Sequence, residues 1–223
     1  MNQFSFSRRS KFANPPLGFE VPAPSELGAE MYAYATYRYF LQPYIQNPTQ
    51  LTVFDINCDK GFGLSTLKQQ FNFKKCVGYN SIPNMLSECK NGHSGISFYR
   101  DFIMSQQKNA DILIAVDAFE NYDNKSALLL RMKQALSESG ILYIAQSTYN
   151  ETEFYNYRKI LVKTHGLKLL SNIDVTDEVI NGINRMSERS SLLSADYAHY
   201  VSKIQKGLKY KIMVMKNETN IPQ

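Results

Sequence analysis

Between Leu51 and Lys216 short apolar runs alternate with amphipathic segments, and that alternation constrains the fold more than any other feature of the chain. Leu51–Ile56, Cys76–Asn80, Ile96–Arg100, Asp111–Val116, Ile141–Gln146, Leu167–Val175 and Tyr210–Met215 read as strands. Ile112–Val116 is the longest continuous apolar run, as a strand covered on both faces requires. Between the strands, Ser65–Phe71, Pro83–Lys90, Lys125–Leu136 and Glu153–His165 read as helices. Pro83 suits a first helical turn, and Gly166 suits the left-handed residue that closes a helix. Thr176, Asp177 and Glu178 open a longer helical stretch reaching about Gln205. Strand–helix–strand alternation at this spacing predicts crossover units and a mostly parallel sheet with helices on both faces.

Composition narrows the class without naming a function. The 223 residues are 43% apolar and 20% charged, enough for one full core and too apolar for a disordered chain. Cys58, Cys76 and Cys89 form no CxxC pair, and His93, His165 and His199 have no zinc-ligand spacing with them. No metal site is expected, and the cysteine usage suggests a reduced, cytoplasmic setting. Arg8, Arg9 and Lys11 are not followed by an apolar signal region, and no run approaches the ~18 apolar residues of a membrane span. The net charge of +5 is modest. The cluster Arg8, Arg9, Lys11 and the looser set Lys203, Lys206, Lys209, Lys211, Lys216 read as solvated surface, so nucleic acid is not the expected partner. Monomer and homodimer both remain open.

Ligands of open parallel sheets bind beyond the carboxyl ends of the strands, where the strand order reverses. Those ends carry Asp55-Ile56-Asn57-Cys58-Asp59-Lys60-Gly61, Gly78-Tyr79-Asn80-Ser81, Asp101-Phe102 and Asp117-Ala118-Phe119-Glu120. Asp and Asn favour turns, so any single position has an ordinary structural reading. Polar groups at four successive strand ends are what a nucleoside pocket needs.

These segments resemble the class I S-adenosylmethionine-dependent methyltransferases. "LTVFDINCDKGFGLSTL" is similar to the family's first motif, hydrophobic residues followed by D-x-G-x-G-x-G. "CVGYNSIPNMLSECK" is similar to the ribose-holding segment, "ISFYRDF" to the adenine-binding one, and "DILIAVDAFENYDNKSALLLRMKQALSESGILYIA" to the fourth strand through the fifth. The resemblance implies a Rossmann-like, doubly wound, seven-stranded α/β sheet, mostly parallel with the last strand antiparallel. It also implies a helical cap over residues 1–50, a core over 51–223 and a helical lid insertion at about 176–206. The wording around Gly78-Tyr79-Asn80-Ser81 looks like the small-molecule enzymes. Carried over by position, Asp55, Asn57, Asp59 and Gly61 would face the methionyl part of S-adenosylmethionine. Asn80 would hold the ribose, with Ser81 and Met85 lining that side. Asp101 would accept from the adenine amino group beside Phe102, and Asp117 with Ala118 would form the floor below the sulfonium.

Departures from the family pattern are concentrated in the first motif. Asn57 and Asp59 replace two of its three glycines. Asn and Asp tolerate left-handed backbone, so the turn can form, but their side chains intrude where the cofactor approaches. Asn121 stands where many small-molecule members have histidine. "DAFE" differs from the N/D-P-P-Y type motif of nucleic-acid methyltransferases.

Methyl transfer to an oxygen, nitrogen or carbon acceptor needs alignment first and, for many acceptors, a base. His199, Glu120 and Tyr32 are the candidate catalytic groups; packing among Tyr197 and Tyr200 is the plainer reading of His199. Tyr32, Tyr34, Tyr37 and Tyr39 fall in the segment expected to fold over the cofactor. Two readings stay open: a small-molecule methyltransferase, and a methyltransferase-like binding or partner protein without turnover.

Overall fold

The computed structural model describes residues 41–181, 202 and 206–218. Tyr32 and His199, most of the cap expected over residues 1–50, and most of the helical stretch expected to reach Gln205 lie outside the described residues.

The apolar runs become strands β1 (Thr52–Asp55), β2 (Lys75–Tyr79), β3 (Ser97–Tyr99), β4 (Ala110–Val116), β5 (Leu136–Thr148), β6 (Leu167–Asp174) and β7 (Lys209–Asn217). Helices α1 (Phe62–Phe71), α2 (Pro83–Gly92), α3 (Lys125–Ala135) and α4 (Glu151–Lys159) connect them. Among the described residues the strands form one seven-stranded sheet in the order β3-β2-β1-β4-β5-β7-β6. β1 to β5 pair in parallel, and β7 runs antiparallel to both β5 and β6. The chain winds outward from β1 to β3, then returns to place β4 on the other side of β1. The order therefore reverses between β1 and β4, which positions the site.

Side chains of β4 alternate between two cores, as the two-residue period of a strand dictates. Ile112, Ile114 and Val116 join Val53, Leu64, Leu67, Tyr143 and Val214 on one face. Leu113 and Ala115 join Phe54, Val77, Leu128, Met132 and Met213 on the other. Each fully buried aliphatic side chain of these layers contributes roughly 1.5–3 kcal/mol by leaving water.

The structure departs from the sequence expectation at two elements. Ser137-Glu138-Ser139-Gly140, which fall between the expected helix Lys125–Leu136 and strand Ile141–Gln146, belong to β5. Leu136 pairs with Ala110 and Ile141 with Ile112, so the extra residues form a register shift against β4. A Cβ at Gly140 would stand 2.7 Å from Ala110 O, which explains the glycine. The helix expected over Glu153–His165 is α-helical only to Lys159 and widens into a π turn over Ile160–Thr164, where His165 N–H bonds Ile160 O. Gly166 follows at φ 66°, ending the helix as expected. Burial, followed by the nearby Lys133, lowers the pKa of His165.

Candidate functional site at the β1 and β4 strand ends

β1 delivers Asp55 to the end of the sheet, 1% exposed. Its Oδ1 accepts from the Asn57 backbone N–H at 3.1 Å. Cys58 N–H then bonds Tyr79 O, and Gly61 N–H bonds Cys58 O at 2.8 Å, which folds the chain back into α1. Gly61 at φ 81° has no room for a side chain: a Cβ there would lie 2.8 Å from His93 Cδ2 and 3.1 Å from Phe98 Cζ. His93 Nε2 donates to Lys60 O at 2.8 Å and secures the turn from the end of α2.

The two residues that replace motif glycines behave differently. Asp59 adopts the left-handed backbone, at φ 46°; Asn57 is not among the positive-φ residues. Asn57 instead spans the reversal of strand order. Its Nδ2 donates to Val116 O at 2.8 Å and Asp117 O at 3.2 Å, while its Oδ1 accepts from Asn121 Nδ2 at 2.9 Å. Tyr122 OH adds a bond to Ile56 O at 2.9 Å. An amide clasp thus joins the turn after β1 to the loop after β4.

Asn80 is also engaged within the protein. Its Nδ2 donates to Asp59 O at 2.6 Å and its Oδ1 accepts from Ile82 N–H at 2.8 Å. Cys89 Sγ bonds the same Asp59 carbonyl at 3.0 Å. Cys58 is buried against Leu86, Cys89 and Phe98 as small packing, and burial drives its thiol pKa well up.

The Asp59 side chain has no comparable support. The residue is 3% exposed, and neither carboxylate oxygen finds a hydrogen-bond partner among the described residues. Burial raises its pKa to about 7 against the opposing pull of Lys60, with Asp55 and Glu88 pushing in the same direction as burial. The Lys60 backbone N–H lies close enough to favour the anion slightly, but without hydrogen-bond geometry. Lys60 Nζ meanwhile faces Glu88 Oε2 at 3.5 Å.

Around this turn the other expected residues gather at neighbouring strand ends. Ser81 is exposed beside Asn80, and Met85 is half-buried on α2. Asp101 is exposed, its Oδ1 accepting from Met104 N–H at 3.1 Å. Phe102 is fully buried, edge-on to Tyr79 with ring centroids 5.2 Å apart and with the Arg131 guanidinium 5.1 Å from its own centroid. Its ring belongs to the core and presents no exposed face, so the expectation that it lies beside the adenine ring is not met. Asp117 sits at φ 44°, its Oδ1 accepting from Ser147 N–H (2.9 Å) and Ser147 Oγ (3.1 Å). Burial lifts its pKa to about 6, opposed by the Ser147 and Tyr210 hydrogen bonds. Ala118 is buried beside it. Glu120 is exposed in the short helical turn Phe119–Asn121.

Sequence reasoning missed Tyr122, which closes over the end of β1, and Ser147, which holds Asp117. Neither lies in a segment whose spacing marks it; only the register of β5 beside β4 brings Ser147 to the Asp117 carboxylate. An open polar groove of about 560 Å³, lined by Phe62, Ser65, Lys68, Gln69, Asn72 and His93 among others, lies along α1; no strand-end residue lines it. Among the described residues no three His, Cys, Asp or Glu side chains are grouped to hold a metal, and no helix is long and apolar enough to cross a membrane.

No protein-family model matches the sequence, and no curated protein matches it. Solved structures do match. Geranyl diphosphate C-methyltransferase from Streptomyces coelicolor, in complex with Mg2+, geranyl diphosphate and S-adenosyl-L-homocysteine, superposes with a TM-score of 0.67 at 11% identity, over 95% of both chains. The [4+2]-cyclase SpnF matches with a TM-score of 0.67 at 12% identity, over 93% of this chain and 87% of its own. StiE O-MT matches with a TM-score of 0.66 at 20% identity, over 94% and 86%. The chain has the fold of the class I methyltransferases.

Proposed function

We propose that this chain binds S-adenosylmethionine at the β1 and β4 strand ends and transfers its methyl group to a small-molecule acceptor. The observation that carries the reading is the reversal of strand order between β1 and β4, which gathers Asp55–Gly61, Asn80–Ser81, Asp101 and Asp117–Ala118 at adjoining strand ends. Bound there, the cofactor would supply an electrophilic methyl group on a sulfonium. Asp101, exposed, is available to accept from an adenine amino group, and Ser81 to meet a ribose hydroxyl. Asp117, held by Ser147, would keep a fixed carboxylate below the sulfonium. Glu120, His199 and Tyr32 remain the candidate bases. The unpartnered carboxylate of Asp59 fits a cofactor that carries positive charge. Geranyl diphosphate in the Streptomyces neighbour supports a small acceptor. Calorimetric titration with S-adenosylmethionine tests the reading: a single saturating transition is expected, and no heat and no thermal shift at millimolar cofactor overturns it.

A second reading, a methyltransferase-like protein without turnover, is favoured by one specific observation. Asn57 spends its amide on Val116 O, Asp117 O and Asn121, filling the place where a glycine lets the cofactor approach. The matching fold of a protein described as a cyclase shows that fold alone does not carry the chemistry. The variant Asn57→Gly separates the two readings. If the amide obstructs the site, affinity for S-adenosylmethionine rises at least tenfold; if the turn binds the cofactor as it stands, affinity is unchanged or falls.

A further inference from the structure

The geometry points to Asp59 as the counter-ion for an ammonium group on the ligand, so that a protonated amine on the adenosyl compound's side arm is a condition of tight binding. This inference rests on the reading of the strand ends as an adenosyl-cofactor site and names what that site selects for. A buried carboxylate ordinarily has hydrogen-bond donors or a cation against it, because an isolated buried charge costs several kcal/mol. Asp55 obeys that rule, its Oδ1 accepting the Asn57 backbone N–H, and the neutral amide of nearby Asn80 is likewise satisfied, its Oδ1 accepting the Ile82 N–H. Asp59 follows Asp55 in the turn after β1, comparably buried, with both oxygens unpartnered among the described residues.

Lys60 is the one cation acting on Asp59 in the turn, and it does not offset burial. The charged groups acting on Asp59 are Asp55, Glu88 and Lys60, three carboxylates with Asp59 itself against one ammonium, and Lys60 is shared with Glu88. The backbone around Asp59 is also committed. Its carbonyl takes bonds from Asn80 Nδ2 and Cys89 Sγ, and the carbonyls of Cys58 and Lys60 take bonds from Gly61 N–H and His93 Nε2. An ammonium arriving at this turn therefore meets carbonyls that already have donors and a carboxylate that has none. Among the described residues of this turn, the polar group left without a donor or a paired cation is the Asp59 side chain. A ligand whose arm carries only a carboxylate meets repulsion instead.

Calorimetric titration of the full chain with S-adenosylhomocysteine and with its deaminated analogue, identical except that hydrogen replaces the amine, tests the assignment. The wild-type protein is expected to bind the amine-bearing compound at least tenfold more tightly. In Asp59→Asn, which keeps the shape and tolerates the left-handed backbone, that ratio is expected to fall to within threefold. A thermal melt at or above that of the wild type verifies that the variant is folded. A wild-type ratio near one, or an Asp59→Asn protein that retains the tenfold preference, overturns the role of Asp59 while leaving the cofactor site standing. Tighter binding of both compounds by Asp59→Gly with no change in their ratio likewise overturns it, because the side chain then acts as an obstacle. Binding of neither compound by the wild type overturns the cofactor site and the inference together.

Discussion

Asp59 combines a left-handed backbone with a buried carboxylate, and the second property ties it to pH. Its folded-state pKa is raised from 3.8 to about 7, so the folded protein holds a proton that the unfolded chain releases. A raised carboxylate pKa makes stability fall as pH climbs from the unfolded value to the folded one, after which the full cost remains. The window therefore runs from about pH 4 to about pH 7, and the cost above it is on the order of a few kcal/mol. Asp117, raised to about 6, acts in the same direction over a narrower window. Urea denaturation in the absence of ligand should show stability decreasing between pH 4 and pH 7. Asp59→Asn should be a few kcal/mol more stable than wild type at pH 8 and nearly equal to it at pH 4. Asn121→Ala strands the Asn57 amide oxygen, and a loss of about 1–2 kcal/mol in the same measurement is expected.

At this scale the sequence disclosed positions better than partners. Asp55, Asn80, Asp101 and Asp117 could be placed at strand ends because turn residues follow apolar runs. Residue type allowed a left-handed backbone at both Asn57 and Asp59, and only Asp59 adopts it. The bond from Asn57 to Asn121 depends on β1 and β4 lying side by side, and no local pattern encodes it. The two uses of the Asn80 amide are equally invisible, since an asparagine after a strand looks the same whether it serves a ligand or its own turn.

Among the elements, β4 was the most legible and β5 the least. Ile112–Val116 is apolar without interruption because both faces of a central strand are covered, and the structure buries every one of these residues. Leu113→Ala should cost about 2–5 kcal/mol in denaturant-induced unfolding, as expected for a cavity among Phe54, Val77 and Leu142. The start of β5 was hidden because Ser137-Glu138-Ser139-Gly140 has turn composition, yet Ser137 is pinned on both sides, its Oγ donating to Asp111 Oδ1 at 3.1 Å and its carbonyl accepting from Asn217 Nδ2 at 2.6 Å. The turn that opens α1 depends on Gly61. Gly61→Ala strains a positive-φ backbone and drives a methyl group against His93, so a loss of roughly 1–3 kcal/mol is expected, with weakened cofactor affinity in the same variant.

For the molecule as a whole, periodicity and order of elements were enough to anticipate a doubly wound sheet, because each strand–helix unit has one favourable hand and one neighbouring place to go. The antiparallel last strand came from the family resemblance, since β7 reads locally like any other apolar run. Its position has a consequence for how the protein is made. β7 is the last strand of the sheet in chain order, but it lies between β5 and β6 and supplies the hydrogen-bonding partner of both. On the ribosome, β1 to β5 can assemble as they emerge, whereas β6 must wait beside an open edge until residues 209–217 clear the exit tunnel. A nascent chain stalled after Asp174 should therefore remain protease-sensitive and prone to edge-to-edge association. Release of a chain that includes Asn217 should convert it to the resistant form in a single step, with translation rather than collapse setting the pace.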